Sequence, residues 1–162
     1  MSKVLVISAS DSDLETMKQA SGVLEDFGVD YEITISSAHR SPERSVKLVE
    51  EFHKNNGKVI ICGAGLAAHL AGVVAAHFPL PVIGVPLKGG ALNGVDALYA
   101  TVQMPSGIPV ATVGIDNVKN AALLAIQILA ASNKDLENKL ITYKKKLADG
   151  VEEKAAKLKE TK

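Results

Sequence analysis

Three short segments hold most of the residues that could do chemistry. His39 and Arg40 are adjacent in SSAHRSPER, residues 36–44. Imidazole is the side chain whose ordinary pKa suits proton transfer near neutrality. Guanidinium is a rigid fork for phosphate or carboxylate. The chain has only two arginines, Arg40 and Arg44, and both fall in this segment. Lysine therefore serves the general surface. Arg44 reads as a salt-bridging residue on a helix surface, whereas His39 with Arg40 reads as functional. The second segment is SASDSD at 8–13, with three hydroxyls and two carboxylates. Ser and Asp at a helix start satisfy open backbone donors, and capping is expected to occupy at least one of them. The same residues could bind a phosphate through hydroxyls and N–H groups, with a carboxylate for ribose hydroxyls. The third segment is GAGLAAHLAG at 63–72, a loosened G-x-G-x-x-A pattern. A nicotinamide site would want an acidic residue at the end of the next strand. That strand reads VIGVPLKGG and offers none. The glycines instead suit close approach of backbone N–H groups to a small ligand. A phospho-accepting Asp, as in a response regulator, is absent from this strand end as well. His69 follows about a turn later and either faces the site or is structural. Lys88 and Gly89-Gly90 form a loop that is mobile or tightly approached. His53 and His77 carry no assigned function. No spacing supports a metal site, and no G-x-S-x-G elbow or P-loop is present.

Regular elements must bring these segments together. VLVIS at 4–8 reads as a buried strand. A helix is expected over about 13–27, ending at Gly28, with Ser10 or Ser12 as its cap. YEITI at 31–35 is a second strand. Pro42 suits the first turn of a helix that runs to about Asn55 and closes at Asn56-Gly57. The remaining pattern is strand 58–63, helix 66–77, strand 81–85, short helix 94–102, strand 109–114 and helix 120–132. This alternation predicts a central parallel sheet covered by helices on both faces. The flavodoxin-like strand order 2-1-3-4-5 is expected, with ligand bound beyond the C-terminal strand ends. The expected division is a catalytic domain over 1–132 and a helical extension over 133–162. The extension is rich in Lys and Glu, with Leu140, Tyr143, Leu147 and Val151 in one narrow stripe. That stripe could dock on its own domain or on a neighbouring subunit, and Gly150 could break or kink the helix.

Composition sets the frame. The 162 residues fit one domain that buries a core without disulfide or metal staples. Basic and acidic residues both number 18, so no nucleic-acid footprint is expected. No signal peptide or membrane span is read, so a cytoplasmic location is expected. Cys62, the single cysteine, reads as a small buried hydrophobe. There is no Trp, with three Tyr and three Phe, so apolar content comes from Ala, Val, Leu and Ile alongside 13 Gly. Elements built from such residues can approach closely.

Five pieces of this chain, in order, resemble the class I PurE family, the N5-carboxyaminoimidazole ribonucleotide mutases. They are SxSD at 10–13, SAHR at 37–40, GAGxAAHL at 63–70, LxGxDxLYxxVQMPxGxPV at 92–110 and NAALLAxQIL at 120–129. The resemblance covers about residues 3–135. It implies a three-layer flavodoxin-like fold, a homo-octamer, and no metal or organic cofactor. It implies a ribonucleotide substrate whose carboxyl group moves from the exocyclic N5 to ring carbon C4. Ser10, Ser12 and Asp13 would bind substrate, with Asp13 on the ribose hydroxyls. Ser37 and Arg40 would help hold the phosphate, and His39 would be the general acid/base. The backbone at Ala64 and Gly65, with His69 nearby, would form the carboxylate or carbon dioxide pocket. The chain departs from the family pattern at Ala9 and Leu66, where Gly is common. Lys88-Gly89-Gly90 replaces a more usual Gln-Ser-Ala, and GIDNVKN at 114–120 looks shorter than its usual counterpart. Two alternatives are direct carboxylation of aminoimidazole ribonucleotide, as in class II members, and a noncatalytic nucleotide-binding module. Class II members typically carry Lys where Arg40 stands and lack AAHL.

Overall fold

The computed structural model describes residues 3–160. Among them are five strands: β1 Val4–Ser8, β2 Tyr31–Ile35, β3 Val59–Gly65, β4 Val82–Leu87 and β5 Ala111–Thr112. The helical segments are α1 Leu14–Met17, α2 Gln19–Phe27, α3 Pro42–Lys54, α4 Leu70–His77, α5 Val95–Val102, α6 Val118–Ala130 and α7 Lys134–Glu160. The strands form one sheet in the order β2-β1-β3-β4-β5, with every pairing parallel. This is the expected doubly wound order. Central strands buried on both faces need continuous apolar runs, and β1, β3 and β4 have them.

Side chains alternate across the sheet and build two cores. Val4, Val6, Val59, Ile61, Ile83 and Val85 point to the layer of α2, α6 and the start of α7. Leu5, Ile7, Ile60, Cys62 and Val82 point to the opposite layer, which holds residues of α3, α4 and α5. Burial pushes the Cys62 thiol pKa well up, so this group is an inert core side chain.

Several boundaries differ from the sequence expectation, each for a local reason. The helix expected over 13–27 is interrupted at Lys18, where the Ser21 amide bonds the Lys18 carbonyl in a tighter turn. Neither Ser10 nor Ser12 caps it, because Asp13 holds the N-cap position and no side chain there accepts a capping bond. The helix expected from 66 begins only at Leu70. Leu66 lies in the left-handed region at φ 54°, and the Ala68 and His69 amides turn back to Leu66 O and Ala67 O. β3 and β4 each run two residues further than expected, to Gly65 and Leu87. β5 shrinks to two residues at the sheet edge, after Pro105 and Pro109 have removed backbone donors. α6 begins at Val118, capped by Asn117 Oδ1 accepting from the Asn120 amide at 3.2 Å.

α7 runs unbroken through Gly150. Its first half docks on the domain: Leu136 and Leu140 join the core, and Tyr143 meets Phe27 edge-on with ring centroids 5.7 Å apart. Lys139 Nζ donates to Phe27 O at 2.7 Å, on the carbonyl end of α2. The outer half exposes Leu147, Val151 and Leu158. No helix among the described residues is long and apolar enough to cross a membrane.

Small residues set the spacing between sheet and helices. A Cβ at Gly63 would overlap Met17 Sδ, and one at Gly84 would overlap Thr101 Cγ2 and come within 3.0 Å of Val110 Cγ1. Gly84→Ala should therefore destabilise the fold by about 1–3 kcal/mol through overpacking. Urea denaturation of both proteins measures this, and equal midpoints would show that α5 moves away freely.

Candidate active site

Parallel strands send all their C-terminal ends to one edge, and four loops meet there. They follow β1, β2, β3 and β4 and enclose a cavity of about 570 Å³. Its wall is made by Ala9–Asp13, Ser37, His39, Arg40, Gly65–Ala67 and Lys88–Gly90.

The β1 loop forms a directed hydroxyl chain. Ser10 Oγ donates to Asp13 Oδ2 at 2.6 Å and lies 2.8 Å from Ser12 Oγ. The Ser10 proton is committed to Asp13, so Ser12 must donate to Ser10. Both hydroxyl protons thus run toward the carboxylate, whose other oxygen is left for a ligand. The side chains that could have capped α1 are instead turned on one another at the cavity.

After β2, Ser37 and Ser41 shape the turn that carries His39 and Arg40. Ser37 Oγ accepts the Arg40 amide at 3.2 Å, and Ser41 Oγ accepts the Ser37 amide at 3.2 Å. Beneath the turn, Ser36 and Ser45 share a buried hydroxyl bond of 2.8 Å that ties β2 to α3. His39 and Arg40 are exposed, and among the described residues the Arg40 guanidinium has no protein acceptor. Arg44 behaves differently from its sequence reading. It donates to Ile35 O at 3.3 Å and reaches Thr34 Oγ1 at 3.5 Å, so among the described residues it closes the end of β2 rather than pairing with a carboxylate.

The β3 loop supplies bare backbone and a second imidazole. Gly65 and Ala67 line the cavity. Ala64 stands one residue behind the wall, paired with Pro86 in the ladder and buried in the core. His69 also lies outside the lining, but its ring meets His39 edge-on, with centroids 5.7 Å apart at 72°. Its Nδ1 lies 3.1 Å from Ala67 O. A carbonyl only accepts, so Nδ1 carries the hydrogen in that bond.

The β4 loop closes the cavity and contributes Lys88, Gly89 and Gly90. Sequence reading flagged these residues without giving them a role. Leu66 and Asp11 also line the wall. Leu66 is 56% exposed and covers Gly90, where an added Cβ would lie 2.7 Å from Leu66 Cδ2. No pattern of residue types announces that contact, because it joins the ends of two different strands. Among the described residues, no group of three or more His, Cys, Asp or Glu is placed to hold a metal ion.

The fold and this strand-end cavity define a doubly wound α/β protein whose ligand-sized cavity lies beyond the C-terminal strand ends, lined by two cations, two carboxylates and a histidine. Comparison with known proteins makes this specific. The AIR carboxylase family model matches residues 3–150, and the chain belongs to that family. It is similar to the N5-carboxyaminoimidazole ribonucleotide mutase of Pyrococcus horikoshii, at 56% identity over 96% of this chain and 88% of that one. The Thermotoga maritima protein of the same name is 51% identical over 98% of this chain and 92% of that one. The crystal structure of Treponema denticola PurE superposes with a TM-score of 0.88 at 31% identity, covering 96% and 97% of the two chains.

The Leu66–Gly90 contact can be tested directly. Gly90 has φ 59°. Gly90→Ala should cost about 1 kcal/mol or more from the positive φ and the crowding together. Adding Leu66→Gly should recover the crowding part, giving a coupling of at least about 0.5 kcal/mol in a double-mutant cycle. Chemical denaturation of the four proteins reads it, and strict additivity would mean the two loops do not touch.

Proposed function

We propose that this chain is an N5-carboxyaminoimidazole ribonucleotide mutase, an isomerase of purine biosynthesis. One observation carries the reading. A single strand-end cavity places His39 among an uncommitted guanidinium, a carboxylate with its hydroxyl chain, and bare glycine backbone. The names and high identity of the relatives support the same substrate.

In this reading Arg40 and Ser37 hold the phosphate, and the Ser10–Ser12–Asp13 chain receives the ribose. The backbone at Ala64 and Gly65 shapes the carboxylate pocket, with Gly65 on the wall and His69 behind His39. The carbon–nitrogen bond of the N5-carboxylate breaks, releasing carbon dioxide while N5 takes a proton from the His39 imidazolium. The electron-rich C4 then attacks the trapped carbon dioxide. His39, now neutral, removes the C4 proton and restores the aromatic ring. One proton has moved from C4 to N5, and the histidine ends as it began. General acid–base help of this kind contributes roughly 100- to 10,000-fold. Holding both fragments in one cavity makes the recapture intramolecular, which supplies much of the remainder.

The description of the family as AIR carboxylase favours a second reading, direct carboxylation of the unmodified ribonucleotide. The same attack of C4 on carbon dioxide would serve it. The assay therefore uses both substrates. Turnover of the N5-carboxylated nucleotide without added bicarbonate is expected. Turnover only of unmodified nucleotide with carbon dioxide would replace the mutase by a carboxylase. His39→Asn should lower turnover at least about 100-fold while retaining ligand binding. An unchanged rate removes His39 from the chemistry, and ligand binding without turnover in either assay leaves a binding module.

We also propose that the chain is one catalytic domain, 1–132, with a helical extension, 133–162, and that it assembles as a homo-octamer. Leu92, Val95, Tyr99 and Val102 form an exposed apolar stripe at helical spacing on and before α5, with Tyr99 60% exposed. The outer half of α7 adds Leu147, Val151 and Leu158. Neither stripe is covered by the described residues. Light scattering at micromolar concentration should give a mass well above the 17.0 kDa chain, and a monomer would overturn the assembly.

A further inference from the structure

Lys88 is the cation of the site that sequence reading left without a role. It follows β4 directly, and its backbone is held from two sides. The Lys88 amide donates to Asp116 Oδ1 at 2.8 Å, and the Asp116 amide donates to Pro86 O at 2.9 Å. Asp116 reaches this position by adopting φ 56°, in the left-handed region that Asp enters more readily than most residues. On the other side, Gly94 at φ 89° passes so near that a Cβ there would lie 3.2 Å from Lys88 Cα. The main chain at Lys88 is thus fixed, while among the described residues its ammonium meets no carboxylate. Lys88 is one of the residues that line the cavity.

The sheet decides which anion Lys88 can meet. Arg40 follows β2 and Lys88 follows β4, with β1 and β3 between them. Three strand spacings of about 4.8 Å separate the two loop origins by roughly 14 Å. A single phosphate meets both cations only where both long side chains lean fully toward each other, whereas two separate anions meet them where the loops place them. Gly65 pairs with Leu87, so Lys88 stands beside the residue after Gly65, next to the bare-backbone part of the wall. The loops that carry the two cations thus lie at opposite ends of the cavity wall. Such a site matches a ligand with an anion at each end, as a carboxylated ribonucleotide has.

We propose that Lys88 is a substrate-binding and specificity-determining residue whose ammonium takes the carboxylate of the nucleotide, and that Asp116 positions it. The inference rests on the mutase reading and names the group that recognises the carboxyl end of its substrate.

Titration calorimetry tests this without requiring turnover. The probes are 4-carboxyaminoimidazole ribonucleotide, which carries the carboxylate, and aminoimidazole ribonucleotide, which carries only the phosphate. Lys88→Gln should weaken the carboxylated nucleotide about 10-fold or more, the scale of a hydrogen bond to a charged group, and change the other less than about twofold. Asp116→Gly accepts the backbone angle but removes the acceptor, and should reproduce part of that selective loss. Asp116→Asn keeps an acceptor oxygen and should restore the affinity. Equal weakening of both nucleotides by Lys88→Gln would make Lys88 a phosphate contact and overturn the proposal. No weakening of either would overturn it too, and an Asp116→Gly protein that binds like the parent would remove Asp116 as the positioning residue. If the parent binds neither nucleotide, the mutase reading itself fails, which is a different result from a tight parent with an indifferent Lys88→Gln.

Discussion

The parallel ladder on either side of β1 is the constraint on which the site depends. β1 pairs with β2 and β3 in one register, so Ser8 lies between Ile35 and Gly63. The ladder continues one step beyond the strands: the Ser36 amide bonds Ser8 O, and the Ala9 amide bonds Gly63 O, each at 2.9 Å. Three loops are thereby tied at the points where they leave the sheet. The first residues of the hydroxyl chain, the histidine turn and the glycine segment start side by side. A slip of one residue would turn every strand side chain to the opposite face and exchange the two cores. Register is therefore strongly specified, and the site inherits its precision from it.

The scarcity of aromatic residues belongs to the same construction. Met17 fills the space left by Gly63, and Thr101 fills the space left by Gly84. α1 and α5 consequently lie close on opposite faces of the sheet near its C-terminal edge, where loops must turn quickly into helices. Larger residues at the two glycines would push those helices outward from the sheet. Neutral overall charge fits the proposed reading, in which anions would be met locally by Arg40, Lys88 and backbone donors rather than by a basic surface.

Leu66 and the loop after β4 make physical sense together. Leu66 occupies a left-handed position that glycine enters at no steric cost, which costs backbone energy, and it places its side chain against Gly90. Gly90 and Gly94, both at positive φ, let the β4 loop fold under Leu66 and around Lys88. Leu66 and Gly90, far apart along the chain, are thus neighbours in space.

Much was legible from local pattern. Apolar runs and turn residues located the strands and most helices, and alternation with helices implied a parallel sheet, for which 2-1-3-4-5 is one of the two common doubly wound orders. The adjacency of His39 and Arg40 at a strand end, and SDSD after the first strand, also stood out from residue type alone. What stayed hidden depends on contacts between distant residues or on backbone angles. The delayed start of α4 follows from the left-handed Leu66, and the fate of Ser10 and Ser12 was settled by Asp13 rather than by α1. The amide of Lys88 found Asp116, 28 residues away. Amino-acid types and their spacing thus determined which elements form and which groups could do chemistry. Only tertiary structure decided which of those groups share a cavity, because a parallel sheet joins strand ends that are far apart in the chain.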